Sequence, residues 1–326
     1  MQYSNYTHAL YARQETIRMT TPNQPSKPAA RDDLPAEGGE SSTVRWSQER
    51  RQQFIDFRLQ WEGRINRKDL TEFFKISVPQ ASADIARYIE QAPGNMEYDG
   101  SSRTYVALPK FAPRYETSGP RQYLSQLLAL ERAILAPDQV FLSFRPPTAS
   151  VPLPSRSIES KHLALMLRAI AGRERLLITY QSITRDEEQK RYISPHAFGY
   201  DGTRWHVRAY CHLREGFRDF VFGRILSAGQ PAPSEIDPAL DQAWNTPIEL
   251  VLKPDETLSA SQRRGIEIDY GMRGGKAKVV CRQAMLYYTL RTLNFELDGT
   301  PRKGERQVVI SNLEEIRPLL REFGQA

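Results

Sequence analysis

The sequence predicts a multidomain α+β chain, and three changes of hydrophobic period predict it. From Val44 to Gly94 apolar residues recur at helical spacing and then alternate across one hairpin; from Glu174 the period is two; after Pro247 strand and helix patterns alternate. With 326 residues, 40% of them apolar, the chain has enough material for several cores. Structured domains are expected at 44–110, 173–230 and 245–326, with a disordered tail over 1–43 and a helical connector over 111–172.

The tail has neither period, and Thr21 to Ser42 is crowded with Pro, Gly, Ser, Thr and charge, a composition that cannot bury a core. Met19, like Met1, is a candidate start. From Val44, RWSQERRQQFIDFRLQWEGRI sets Trp46, Phe54, Phe57 and Trp61 on helical spacings, with Ser47 as a candidate N-cap. NRKDLTEFFKI follows as a second helix, capped by Asn66 and burying Leu70, Phe73 and Phe74. A third, SVPQASADIARYIEQAPG, starts from Ser77 with Pro79 in its first turn, where no amide donor is needed. It buries Ala81, Ile85, Tyr88 and Ile89 and stops at Pro93-Gly94. Then Met96 and Tyr98, and Tyr105 and Ala107, alternate around Asp99-Gly100-Ser101-Ser102 as a two-stranded wing.

Three helices, a tight turn and a hairpin make a winged helix-turn-helix. Its third helix, headed by Ser77, presents Gln80, Ser82, Ala83 and Arg87 away from the core; such short or polar groups can approach base edges and phosphates in the major groove of double-stranded DNA. Arg103 at the wing tip reaches for the backbone or minor groove. The competing reading is a protein-contact scaffold with a solvated face. Between Val44 and Lys110 there are 11 basic and 9 acidic residues, a net of +2, so DNA affinity must come from arranged charges and not from a general field.

Within 111–172, GPRQYLSQLLALERAIL carries the stripe Tyr123, Leu127, Leu130 and Ile134, and SIESKHLALMLRAIAG makes another amphipathic helix beyond a Pro-rich stretch. From Glu174, RLLITYQS, RYISPHAFGY, RWHVRAYCH and FRDFVFGRIL read as successive short antiparallel strands, which suggests a small β-barrel of the Sm/SH3 kind. A two-residue Asp201-Gly202 turn sets His196 opposite Val207 and Ser194 opposite Ala209; a three-residue loop sets His196 opposite Arg208.

The stretch Leu176 to Leu226 resembles a WYL domain, with Trp205-His206-Val207 where the tripeptide stands that gives the family its name. Tyr180, Ser194-Pro195-His196, Arg204 to Cys211 and Gly223-Arg224-Ile225 complete the pattern. Following a winged helix, it resembles the BrxR and CapW group of bacterial transcription regulators from Val44 to Phe323. The resemblance implies a homodimeric repressor, an inverted-repeat operator near anti-phage defence genes, and a nucleotide or nucleic-acid effector in the WYL domain. Arg208 and Arg224 can fork onto phosphate oxygens, Ser194 and His196 can add hydrogen bonds, and Tyr180 or Trp205 can offer a ring to a base. Taken singly, Trp205 equally suits a core, Arg224 an ion pair with Asp219 or an interdomain carboxylate, and His196 a strand cap.

The last 80 or so residues read as strand (IELVLKP), helix, strand (KAKVVCR), helix, strand (RQVVIS) and helix, an α/β module that resembles the dimerising extension after WYL domains. Its YYTLRTL helix places Leu286, Tyr287, Leu290 and Leu293 on a core stripe. No enzyme is expected: five scattered histidines form no HExxH, and there is no G-x-S-x-G, P-loop or GxGxxG, so neither catalytic residues, a metal nor a cofactor is implied. Cys211 and Cys281 have no metal-ligand spacing, no apolar run approaches the roughly 20 residues of a membrane span, and the setting expected is cytoplasmic. An activator of the same fold and an RNA- or single-strand-binding module remain the rival readings. The formal charge of +6 fits any of these polyanion partners.

Overall fold

The structure, a computed structural model, describes residues 39–323 apart from 155, 184–185 and 304–306. The expected tail, as far as residue 38, lies outside the described residues. Two compact units meet at Pro152/Leu153.

In the first unit, α1 (Gly39–Glu62) begins earlier than the sequence suggests, so 39–43 are helical and Ser47 lies inside the helix instead of capping it. No proline interrupts the chain between Gly39 and Ser47, so nothing forces a start at Ser47. Its middle is buried on every side: Phe54, Ile55, Phe57 and Leu59 are all at most 1% exposed, while the expected core residue Trp46 is 66% exposed because the helix outruns the core it packs on. Gly63 accepts the left-handed φ of +69° that ends α1 and turns the chain into β1 (Arg64–Ile65).

Asn66 then caps α2 (Arg67–Phe74) through a reciprocal pair of bonds with Asp69, 3.0 Å from the Asp69 amide and 2.7 Å from its own amide to the Asp69 carboxylate. Lys75 takes a left-handed φ of 55°. Ser77 caps α3 (Val78–Gln91) and Pro79 sits in its first turn. Ala81, Ile85 and Tyr88 are buried as expected, but Ile89, at 38% exposure, lies on the rim. The wing strands β2 (Met96–Asp99) and β3 (Thr104–Ala107) pair antiparallel, and β1 adds itself to β3 as a third strand too short for a sequence period to reveal.

The stretch expected as a connector, 111–172, divides between the units. Tyr123, Leu127 and Leu130 of α4 (Pro120–Glu131), with Val140, Phe141 and Leu142, join the core of the winged helix; Ile134 lies past the end of α4 and is exposed. Buried Asp56 ties these parts together. Its carboxylate accepts from the Tyr88 hydroxyl, from the amides of Arg114 at 3.1 Å and Tyr115 at 3.2 Å, and from Ser118 Oγ at 2.7 Å.

In the second unit, α5 (Ser160–Gly172) lays Met166 and Ala169 on a sheet of β4 (Glu174–Tyr180), β5 (Gln189–Tyr200), β6 (Trp205–Cys211), β7 (Gly216–Val221) and β8 (Ile225–Ala228), in the order β7-β6-β5-β4-β8, with β9 (Ala232–Pro233) also on β4. The expected Sm/SH3-like barrel is not closed: among the described residues β7 and β8 do not pair. A 3₁₀ turn at Phe222–Arg224, anchored by buried Phe222, carries the chain across to β4 and leaves the outer edge of β7 free.

The C-terminal module has β10 (Pro247–Pro254) between β11 (Ala277–Arg282) and β12 (Val308–Ile310), all antiparallel. α6 (Gln242–Asn245) precedes it, α7 (Ala260–Asp269) and α8 (Leu286–Thr292) lie between its strands in sequence, and α9 (Leu313–Phe323) follows. Leu250, Leu252, Leu286, Leu290, Phe295 and Ile316 make its core. No described helix is long and apolar enough to cross a membrane, and among the described residues no three His, Cys, Asp or Glu stand together to hold a metal.

Replacing Asp56 by alanine strands several buried donors, each costing about 1–3 kcal/mol. Asp56→Ala is expected to lower the urea midpoint of the full-length protein well beyond an exposed control such as Glu72→Ala; equal midpoints would remove Asp56 from this role.

Candidate DNA-contacting face and ligand cavity

α3 is apolar on one side only. Its buried side carries Ala81, Ile85 and Tyr88, and its exposed side carries Gln80, Ala83 and Arg87, with Ser82 half-buried between them. Ser77 is exposed, but its Oγ accepts from the Gln80 amide at 3.3 Å and so already serves as the cap. Buried Asp84, which the sequence did not single out, anchors this helix: Arg51 Nε donates to it at 2.6 Å, and Gln80 Nε2 donates to the same oxygen at 3.2 Å. Gln80 is thereby held in one orientation while its carbonyl stays available. At the wing, Asp99 accepts from Ser101 and Ser102, which holds its carboxyl down at about 2. Arg103 follows on this turn, exposed and with a left-handed φ of 54°.

The six residues expected around a ligand in the β-domain do not form one cluster. Tyr180 belongs to the core; its ring meets Phe220 edge-on at 5.2 Å and its hydroxyl accepts from the Val221 amide at 3.2 Å. Ser194 bonds His212 Nε2 at 2.8 Å and Ser234 Oγ at 2.7 Å. The hairpin after β5 settles His196. Asp201 accepts from the amides of Thr203 and Arg204, both at 2.8 Å, and from Thr203 Oγ1, while Gly202 takes φ +91°. This side-chain bonding stabilises a loop of Asp201 to Arg204, wider than either turn considered from the sequence. Pro195 therefore faces Ala209 and Ala197 faces Arg208, leaving His196 as the bulged residue between them.

His196 Nε2 lies 2.9 Å from Asp241, the carboxylate on which Arg208 forks with Nε at 2.7 Å and Nη2 at 2.9 Å. Arg208 also reaches Asp219 at 3.3 Å. Arg208 is thus an internal brace between β6 and the segment leading to α6. Burial pushes the Asp241 carboxyl up, but the bonds from Arg208 and His196 outweigh it and hold it far below the usual carboxylate range. For Arg208, burial lowers and Asp241 raises, with a net rise. Asp201 behaves as Asp241 does: burial opposes, while His206, Thr203 and Arg204 prevail and hold it far down.

Trp205 and Arg224 go elsewhere, to the wall of a cavity of about 400 Å³. Trp205, 48% exposed, packs at 4.8 Å on Tyr200, and Arg156 and Arg204 complete a triad of cations with no acidic side chain on the wall. Arg204 is paired with Asp201 at 3.0 Å; Arg156 and Arg224 have no ion-pair partner among the described residues. A Cβ on Gly223 would stand 3.0 Å from the Ser157 carbonyl oxygen, so glycine there lets the 3₁₀ turn close against 156–158. The sequence held one signal for Arg204, its place beside Trp205, and none for Arg156, which sits in an aperiodic Pro-rich stretch.

Three family profiles cover most of the chain: the BrxR transcriptional regulator winged helix-turn-helix domain over 47–129, the WYL domain over 161–229, and the BrxR transcriptional regulator C-terminal dimerization domain over 247–316. The DNA-binding transcriptional repressor CapW of Stenotrophomonas maltophilia is 46% identical over 294 residues, spanning 88% of this chain and 96% of that protein. The protein of the same description from Pseudomonas aeruginosa is 42% identical over 296 residues, 90% of this chain and 98% of that one. The chain belongs to the CapW family. In this CapW-family protein the winged-helix profile runs past the wing into α4, in agreement with the packing of Tyr123 and Leu127 on the same core. Its relatives are described as DNA-binding transcriptional repressors.

Removing Arg208 leaves Asp241 buried without its forked partner, so Arg208→Ala is expected to cost about 3–5 kcal/mol in urea unfolding. The pH dependence has a definite sign. Asp241 ionises more readily folded than unfolded, so its contribution is present above its unfolded value, about pH 4, and is lost as the pH falls below that. Asp241→Asn should shallow the acid loss of stability in that window; parallel acid profiles for variant and parent would contradict this.

Proposed function

We propose that this chain is a homodimeric transcriptional repressor that binds an inverted-repeat operator in double-stranded DNA through α3 and the β2–β3 wing. We further propose that it is released by a nucleotide or nucleic-acid fragment bound beside Trp205, and that it controls an anti-phage defence operon. The observation that carries the DNA reading is the two-sidedness of α3: buried Ala81, Ile85 and Tyr88 fix it, and exposed Gln80, Ala83 and Arg87 leave its other face low enough to enter a major groove. Similarity over nearly the whole length to proteins described as DNA-binding transcriptional repressors supports the same reading. A dimer carries two such helices, so half-sites are expected one turn, roughly 10 base pairs, or a multiple apart.

The ligand reading rests on the cavity. Arg156 and Arg224 have no carboxylate partner among the described residues, and a phosphate suits their forks, while Trp205 and Tyr200, tilted on each other, offer an aromatic wall to a base. In this reading Arg208, His196, Ser194 and Tyr180 support the sheet and do not touch the ligand. Release requires the ligand to prefer the non-binding dimer; a swing from 1:99 to 99:1 takes about 10⁴-fold preference.

A mobility-shift titration with DNA from immediately upstream of the gene, against scrambled competitor at physiological salt, tests the reading. A complex that resists the competitor is expected, and equal competition would refute operator recognition. Gln80→Ala should lose about 1–3 kcal/mol of preference for the operator over scrambled DNA. Arg87→Ala should instead weaken both complexes similarly and reduce the salt slope by about 1.

A further inference from the structure

Asp201 stands between the cavity and the C-terminal module. One of its oxygens secures the loop; the other accepts from Arg204 Nε and from His206 Nε2, each at 3.0 Å. Arg204 lines the cavity. His206, its side chain almost wholly buried, meets the C-terminal module: its ring packs at 4.6 Å on Tyr288 of α8, with Nδ1 3.4 Å from the Tyr288 hydroxyl. That hydroxyl lies 3.2 Å from Asp219, which takes Arg208 at 3.3 Å, and Arg208 forks on Asp241. A continuous polar chain thus runs from the cavity lip through β6 and β7 to two points of attachment of the C-terminal module. The attachment is close at the backbone as well: a Cβ on Gly199 of β5 would stand 2.8 Å from Met285 Sδ, just before α8. Burial and the Asp219 charge raise the Tyr288 hydroxyl, so it stays a neutral donor throughout the working pH range.

We propose that Asp201 couples ligand occupancy to the dimerisation module by sharing one carboxylate oxygen between Arg204 of the cavity and His206 beneath Tyr288. An anion in the cavity competes with Asp201 for the Arg204 guanidinium. When Arg204 turns to the anion, Asp201 loses a charge-assisted bond and the oxygen it shared is left to His206 alone, which alters the hold of His206 on Tyr288. The two arrangements differ in the seating of α8, and the ligand favours one of them because only there is Arg204 free to bind it. By reciprocity, a dimer held on operator DNA keeps Arg204 on Asp201 and binds the ligand less well. This inference rests on the ligand reading above for its physiological trigger, but the coupling itself can be measured without a ligand.

The test is a double-mutant cycle read as operator affinity of the full-length dimer. Arg204→Ala places Asp201 in the state that the anion would produce, and is expected to weaken operator binding about 5- to 150-fold with no ligand present, the usual span of allosteric coupling. Tyr288→Phe keeps the ring and removes the hydroxyl. In that background Arg204→Ala should have little further effect. Arg204→Gln serves as a second variant, and unchanged melting temperatures separate coupling from unfolding. Additive effects of the two substitutions, or operator affinity untouched by either Arg204 variant, would overturn the proposal. In parallel, calorimetry with a 5′-phosphorylated thymidine dinucleotide tests the ligand reading. Binding that is lost in Arg224→Ala supports it, and no binding to the parent protein counts against that reading alone, leaving the cycle to judge Asp201.

Discussion

The fork of Arg208 on Asp241 is the contact on which the second unit depends. Both groups are almost wholly withdrawn from water, so each would be costly alone, and only their pairing, with His196 and Asp219 filling the remaining positions, makes the burial tolerable. The energetic consequence is positional. The segment from Ser234 to Trp244 fully buries none of its apolar residues, yet it must stay where Arg208 can meet Asp241. It thereby delivers β10 and the C-terminal module to the WYL sheet, where Met285 lies against Gly199 of β5 and Tyr288 against His206 of β6.

The same economy governs the first unit. Buried carboxylates, Asp56 and Asp84, hold α1, α3 and the segment after the wing in register, each satisfied by several donors. Buried acid and withdrawn base cancel here, since Arg51 is matched to Asp84 and Arg58 is buried as Asp56 is, so the net charge of the winged helix is carried by its surface, where Arg87 and Arg103 are exposed. In the sheet the logic separates two kinds of arginine. Arg208 meets carboxylates and braces; Arg156 and Arg224 meet none among the described residues and line a cavity. Arg204, paired but a third exposed, belongs to both sets, which is what allows it to report on one to the other.

Much of the winged helix was legible because its signals are local. Asn66 with Asp69, Ser77 with Pro79, and the Leu70, Ile85 and Tyr88 positions need only neighbours within a turn or two to declare themselves. The misreadings were also local. Trp46, Ile89 and Ile134 continue a correct helical spacing, but the core they would face ends before they reach it. The site was harder to read. Of the residues expected around a ligand, Trp205 and Arg224 share one cavity wall, whereas Arg208 pairs with Asp241, which lies 33 residues away in a polar connector without period.

By itself the sequence determined the kinds and order of the elements, the capped third helix of the winged domain, the family, and which arginines and aromatic residues the β-domain carries. Helical period, capping and strand alternation are set by residues within a few positions of one another, so a linear reading captures them. The tertiary structure alone decided which arginine meets a carboxylate and which, among the described residues, meets none. It widened the Asp201 loop, bulged His196 out of register, brought Asp241 to Arg208 and folded 156–158 against Gly223. Whether a charge is a brace or a binding group depends on what stands within about 3 Å of it, and that distance is fixed by contacts between distant parts of the chain.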